Sequence, residues 1–141
     1  MDRAIRVAFA TDTGELIDGH FGACKAFVIY DLKPQGVDCV EFVAARSTAE
    51  ADEAEDRNKA RAELIGDCQI ACFQSIGGPA AAKAVRAGVH PLKVAPGTRM
   101  EDMLARLQQA LQQPPPWLAK VMGVEAASLA TYRELAGVEE E

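Results

Sequence analysis

The chain has 141 residues, with 15 Lys and Arg against 21 Asp and Glu for a formal charge of −6, a balance that excludes a nucleic-acid binder working through phosphate contacts. With 49% hydrophobic and 26% charged residues the composition fits one soluble domain with a real core. No apolar run nears the roughly 20 residues a bilayer span requires, and no signal-peptide core precedes the first strand-like segment, so no membrane association and a cytoplasmic location are expected.

The first apolar run predicts a buried strand over residues 4–10, stopped by the turn residues Asp12, Thr13 and Gly14. Residues 25–31, rich in aromatic and β-branched side chains, and residues 39–44 predict a hairpin closed by the Lys33, Pro34, Gln35, Gly36 turn. A helix is expected over residues 48–67, with Ser47 or Thr48 as its cap, an acidic first turn, and Ala54, Arg57, Ala60, Arg61, Leu64 and Ile65 at helical spacing. That acidic stretch reads as a solvated face.

Residues 68–73 predict a fourth strand, and Gly78 as cap with Pro79 as the first helical residue then opens a small-residue helix that Gly88 ends. Residues 92–94 form a last strand, with His90 expected at the surface. Thr98 and Glu101 form a capping box for the helix carrying Met100, Met103, Leu104, Leu107 and Leu111. Pro114, Pro115 and Pro116 break that helix. Residues 117–122 add a turn or two, and residues 124–141 are weakly helical and frayed. Two β-α-β crossovers behind an antiparallel hairpin imply a single α/β domain, a mixed five-stranded sheet with flanking helices.

Charge is unevenly spread. Setting aside Glu50, Asp52, Glu53, Glu55, Asp56 and the three terminal glutamates leaves 13 acids against 15 bases, so the body tolerates a small anionic ligand. Ligands in open α/β sheets gather beyond the carboxyl ends of parallel strands. Two loops lie there: residues 11–22, and the Ser75, Ile76, Gly77, Gly78, Pro79 turn, whose amides either hold an anion or simply make a tight turn.

His20, flanked by Gly19 and Gly22, suits a metal ligand or a proton carrier. Asp12 and Asp18 either orient its ring or cap the loop backbone. Cys24, four residues on, either shares a metal or iron–sulfur centre with His20 or packs on the sheet. Cys68 and Cys72 share one strand at an even spacing and are expected to face the same way, with Cys72 nearer the ligand end. No Cys-x-x-Cys pair occurs. There is also no nucleophile elbow, Walker loop or His-Glu-x-x-His helix, and the first strand carries no carboxylate to hold magnesium, so no catalytic residue is assigned.

Asp18-Gly19-His20-Phe21-Gly22 after a first strand, the strand from Phe27 to Asp31, Ile76-Gly77-Gly78-Pro79 and Gly88-Val89-His90-Pro91 together resemble the NifX/NifY/NafY family of dinitrogenase iron–molybdenum cofactor biosynthesis proteins. That family's domain also occurs at the end of NifB. The resemblance covers residues 4–112. It implies a ribonuclease H-like fold without nuclease activity, a cofactor-binding domain over residues 1–112, and a C-terminal extension over residues 113–141.

The function implied is that of a non-catalytic carrier or chaperone. It would hold the iron–molybdenum cofactor, or its NifB-derived iron–sulfur precursor, and attend nitrogenase cofactor-assembly proteins and apo-dinitrogenase. His20 falls at the family's suspected cluster ligand. The cofactor-binding set expected here is His20, Phe21, Gly22, Cys24, Gly77 and Gly78, with Cys72 as a further possible metal ligand. Lys25 and Lys83 are candidates to add positive charge. One or two ligands on a flexible loop suit a carrier, which must let its cargo go. The alternative is an interaction module that stabilises apo-dinitrogenase without touching a cluster, using Trp117 or the acidic 50–56 stretch.

Overall fold

In a computed structural model of the chain, residues 4–33 and 39–121 are described. The Pro34–Gly36 turn residues, Met122 and the 124–141 segment lie outside them. Five strands form one sheet: β1 (Ile5–Thr11), β2 (Ala26–Leu32), β3 (Val40–Ser47), β4 (Ile70–Phe73) and β5 (His90–Lys93). Their order is β3-β2-β1-β4-β5. The hairpin half pairs antiparallel, β1 with β2 and β2 with β3. The crossover half pairs parallel, β1 with β4 and β4 with β5. The mixed five-stranded sheet follows the sequence expectation.

Four helices cover it: α1 (Arg57–Leu64), α2 (Gly78–Arg86), α3 (Met100–Gln112) and α4 (Pro116–Val121). Side chains alternate across a strand, so the sheet feeds two cores. Ile5, Val7, Phe9, Ile70 and Cys72 pack with Leu104, Leu107, Leu111 and Leu118. Ala8, Ala10, Phe27, Ile29, Ala71 and Phe73 pack with Ala62, Ala80 and Ala84. Small residues on α2 let that helix lie close to the sheet.

Four local expectations are revised by the structure. The helix expected over residues 48–67 is a short 3-10 turn, Ala51–Glu53, followed by α1. The cap of α1 is Asp56, which accepts the Lys59 amide at 3.1 Å. Thr48 instead turns inward, its Oγ1 donating to the carbonyls of Cys24 and Lys25. The Thr98–Glu101 capping box is not formed: Thr98 Oγ1 donates to Ala95 O at 2.6 Å, and the Thr98 amide that Glu101 would take donates to the same carbonyl at 3.2 Å. Gly77, not Gly78, caps α2.

The fourth correction concerns the cysteines. Cys68 precedes β4, outside the strand's alternation, and packs in the α1/α2 core, whereas Cys72 packs in the α3/α4 core. The two therefore face opposite sides of the sheet.

Candidate functional site

Residues 12–25 connect β1 to β2 across the carboxyl end of the sheet, and their path is set residue by residue. Gly19 donates to the Ala10 carbonyl at 3.0 Å and accepts from the Gln74 amide at 3.0 Å. A Cβ on Gly19 would stand 2.6 Å from Cys24 Cβ, 2.7 Å from Ala10 C and 2.8 Å from Thr11 N, so only glycine fits this crossing. Phe21 donates its amide to Ser75 O, and Ile17 donates to Thr98 O. The loop drops Ile17 into one core and Phe21 into the other. It was expected to be flexible; it is instead stitched to β1, to the end of β4 and to the start of α3.

Asp12 and Asp18 cap backbone and leave the imidazole alone. Asp18 Oδ1 accepts the Asp12 amide at 2.8 Å and the Thr11 hydroxyl at 3.3 Å, while Asp12 Oδ1 accepts the Lys25 amide at 3.0 Å. Burial by itself would raise the Asp18 carboxyl, but these hydrogen bonds hold it below the ordinary carboxylate range.

His20 is exposed at the outer bend of this loop. Its Nδ1 lies 2.6 Å from Ser75 Oγ, and the two residues form a parallel bridge. Nε2 makes no hydrogen bond among the described residues, and the space beside it is kept clear by Gly22, where an added Cβ would sit 3.7 Å away. Ser75 also lines a concavity of about 510 Å³ beyond the ends of β4 and β5, with Gln74, Lys93, Val94, Ala95 and Pro96. Gly77 and Gly78 stand exposed nearby at the start of α2, with open space where side chains would be.

The remaining expected site residues are buried. Phe21 is fully enclosed, with its ring 5.7 Å from Phe27 and 5.9 Å edge-on from Phe73. It anchors the loop, and that burial contributes about 1.5–3 kcal/mol. Cys24 is enclosed beneath it, within 3.5 Å of the Arg61 guanidinium. Burial pushes the Cys24 thiol up to about 11 even with that cation beside it. Cys72 is enclosed in the other core, its thiol also pushed well up by burial. The structure thus brings His20, Gly22, Gly77 and Gly78 to the surface at one end of the sheet, and keeps Phe21, Cys24 and Cys72 from it. Among the described residues no three His, Cys, Asp or Glu side chains converge on a metal-sized site.

Two contributors were missed by sequence reasoning. Ser75 reads in the sequence only as part of a turn. Arg61 reads as one more residue in a helical pattern, yet it is 1% exposed. Its Nη1 donates to Phe21 O at 2.7 Å, and its Nε and Nη2 donate to the Asp52 carboxylate. That pairing also revises the acidic stretch. Asp52 and Asp56 are engaged internally, Asp56 with Lys83 at 2.6 Å, so Lys83 is neutralised and adds no free charge to the site. Arg57 completes the corner by donating to Gly22 O at 2.9 Å. The available signal is spacing: Arg61 lies three and four residues before Leu64 and Ile65, on their face of a helical pattern, with Asp52 upstream.

At the edge of the sheet remote from His20, His90 lies half-buried in β5 and stacks on Trp117 of α4, with ring centroids 4.6 Å apart and planes 15° off parallel. Among the described residues no helix is long and apolar enough to cross a membrane.

The family described as "Dinitrogenase iron-molybdenum cofactor" matches residues 3–110. Among curated proteins, the chain is 46% identical over 123 residues to Protein NifY of Azotobacter vinelandii, covering 86% of this chain and 50% of that protein. It is 36% identical over 125 residues to Protein NifX of Sinorhizobium fredii, covering 84% and 78% respectively. The chain therefore spans half the length of that NifY and most of that NifX. Among solved structures, the apo orange protein from Desulfovibrio gigas superposes with a TM-score of 0.58 at 15% identity, over 79% of this chain and 92% of that one, a likeness of fold alone.

Proposed function

The chain belongs to the dinitrogenase iron-molybdenum cofactor family, and from that premise we propose that it is a non-catalytic carrier that binds the iron–molybdenum cofactor, or its NifB-derived precursor, and delivers it to apo-dinitrogenase. The observation that carries this reading is His20: an exposed imidazole on a stitched loop, with Nε2 unobstructed. A soft metal–sulfur cluster accepts an imidazole ligand. An anionic cluster is also favoured by the open amides at Gly77 and Gly78 and by Lys93 across the neighbouring concavity.

The proposed protein ligand contracts to His20. A thiol must ionise to bind metal, and the Cys24 and Cys72 thiols are enclosed and held protonated. Holding by one imidazole rather than a closed cage suits cargo that must move on. The strand order, with β1 central and an antiparallel hairpin on one side, supports a ribonuclease H-like reading of the fold.

Anaerobic titration with isolated iron–molybdenum cofactor, followed by co-migration on native gels, tests the reading. Wild type should co-migrate, and His20→Ala should keep its fold while losing at least about tenfold in affinity. Equal affinity in the variant would refute the His20 assignment.

A second reading, a module that steadies apo-dinitrogenase without a cluster, draws support from the groove beside the His90–Trp117 stack. It measures about 500 Å³ and includes Val85, Lys120 and Val121. Co-purification with apo-dinitrogenase that survives His20→Ala but fails on Trp117→Ala would favour it.

A further inference from the structure

His20 and Ser75 are 55 residues apart in sequence and are held together by backbone. Phe21 N donates to Ser75 O at 2.9 Å and Gln74 N donates to Gly19 O at 3.0 Å, one bond on either side of the His20–Ser75 bridge. Within that clamp the imidazole Nδ1 and the Ser75 hydroxyl oxygen stand 2.6 Å apart. Asp12 and Asp18 are spent on backbone amides, and the side chain within hydrogen-bond distance of the ring among the described residues is the Ser75 hydroxyl.

Neutral imidazole has one N–H and one lone pair, and the partner of one nitrogen decides which role the other takes. Ser75 is only partly buried and borders the open concavity, so its own hydroxyl proton can point to solvent while its oxygen faces the ring. We propose that Ser75 is a positioning residue whose Oγ accepts the Nδ1–H of His20, fixing the tautomer that presents an unprotonated Nε2 to the cargo. This rests on the carrier reading and names the atom through which it works. A hydroxyl partner also carries no charge, so it orients the ring without the gain in ligand basicity that a carboxylate partner gives. His20 is thereby an ordered but exchangeable donor.

The test begins on the protein without cargo. The chain has two histidines, so nitrogen-15 NMR of the imidazoles, assigned with His90→Phe, reads the His20 tautomer directly. In mildly alkaline buffer, wild type should show Nδ1 protonated and Nε2 bare. Ser75→Ala should shift His20 toward the Nε2–H tautomer and weaken iron–molybdenum cofactor binding by about tenfold, while Ser75→Thr should restore both. An Nε2–H tautomer in wild type overturns the proposal, and so does a tautomer unmoved in Ser75→Ala. The wild-type spectrum decides even if Ser75→Ala folds poorly. The two readings fail separately: absent cargo binding with the expected tautomer sinks the carrier, whereas binding that needs His20 but ignores Ser75 sinks this inference.

Discussion

Asp52 and Arg61 meet in a two-point pair, Nε to Oδ1 at 2.9 Å and Nη2 to Oδ2 at 3.0 Å, and the same guanidinium reaches on to the Phe21 carbonyl. The 3-10 turn, α1 and the His20 loop are joined through one buried cation. Arg61→Met keeps most of the volume but leaves the Phe21 carbonyl without its donor. It should cost about 1–3 kcal/mol in urea unfolding. Asp52→Ala should also lower the midpoint, because it strips a buried charge of its partner. Glu53→Ala, on the exposed side of the same turn, should stay within about 0.5 kcal/mol. Equal midpoints for Asp52→Ala and Glu53→Ala would contradict the pairing.

The two glycines around His20 do different work. At Gly19 the atoms facing a new Cβ are backbone and a buried Cβ, none of which can rotate away, so Gly19→Ala should destabilise by about 1–3 kcal/mol. At Gly22 the nearest atoms lie 3.6 Å away or farther, and Gly22→Ala should fold normally. Its methyl would nonetheless stand beside Nε2, so cargo affinity should fall while the unfolding midpoint holds. Thermal melts alongside the gel titration separate the two outcomes.

The His90–Trp117 stack supplies a pH test. Burial lowers His90 below its ordinary value of 6.5, whereas in the unfolded chain it titrates near that value. The unfolded chain therefore takes up a proton that the fold resists. The contribution of His90 to stability is complete above pH 6.5 and is lost as pH falls toward the folded pKa. The urea midpoint should decline as pH falls below about 6.5, and His90→Phe, which preserves stacking, should flatten that decline. Trp117 is the chain's one tryptophan, so its emission follows the same titration. An unchanged slope in His90→Phe would rule the stack out as its source.

Thiol chemistry should sort the cysteines. Cys24, Cys68 and Cys72 are buried, and Cys39 is intermediate. Burial pushes the Cys68 thiol up to about 12, with Asp67 adding to the rise. Native protein should react first at Cys39, with the other three labelled at rates set by opening of the fold. Mapping the modified peptides over time checks the order. Fast labelling of Cys24 would reopen it as a ligand.

The strands were legible because each is a short apolar run ended by turn residues, and the parallel half followed from two crossovers. The exposed place of His20 was legible because the residue sits between glycines in a loop outside any apolar run. What escaped depended on distance along the chain. Ser75 reaches His20 across 55 residues, and Arg61 reaches Phe21 across 40. Local signals also lost to other partners: Thr98 and Glu101 spell a capping box, yet the Thr98 hydroxyl and amide both donate to Ala95 O. The even spacing of Cys68 and Cys72 misled because the strand begins only at Ile70.

The stitching of the His20 loop constrains the kinetics of release. A donor fastened to β1, β4 and α3 at once cannot swing aside to shed what it holds. On the carrier reading it is the cargo that moves: letting go means breaking the one bond at Nε2, and the loop left behind already has the shape that binds again.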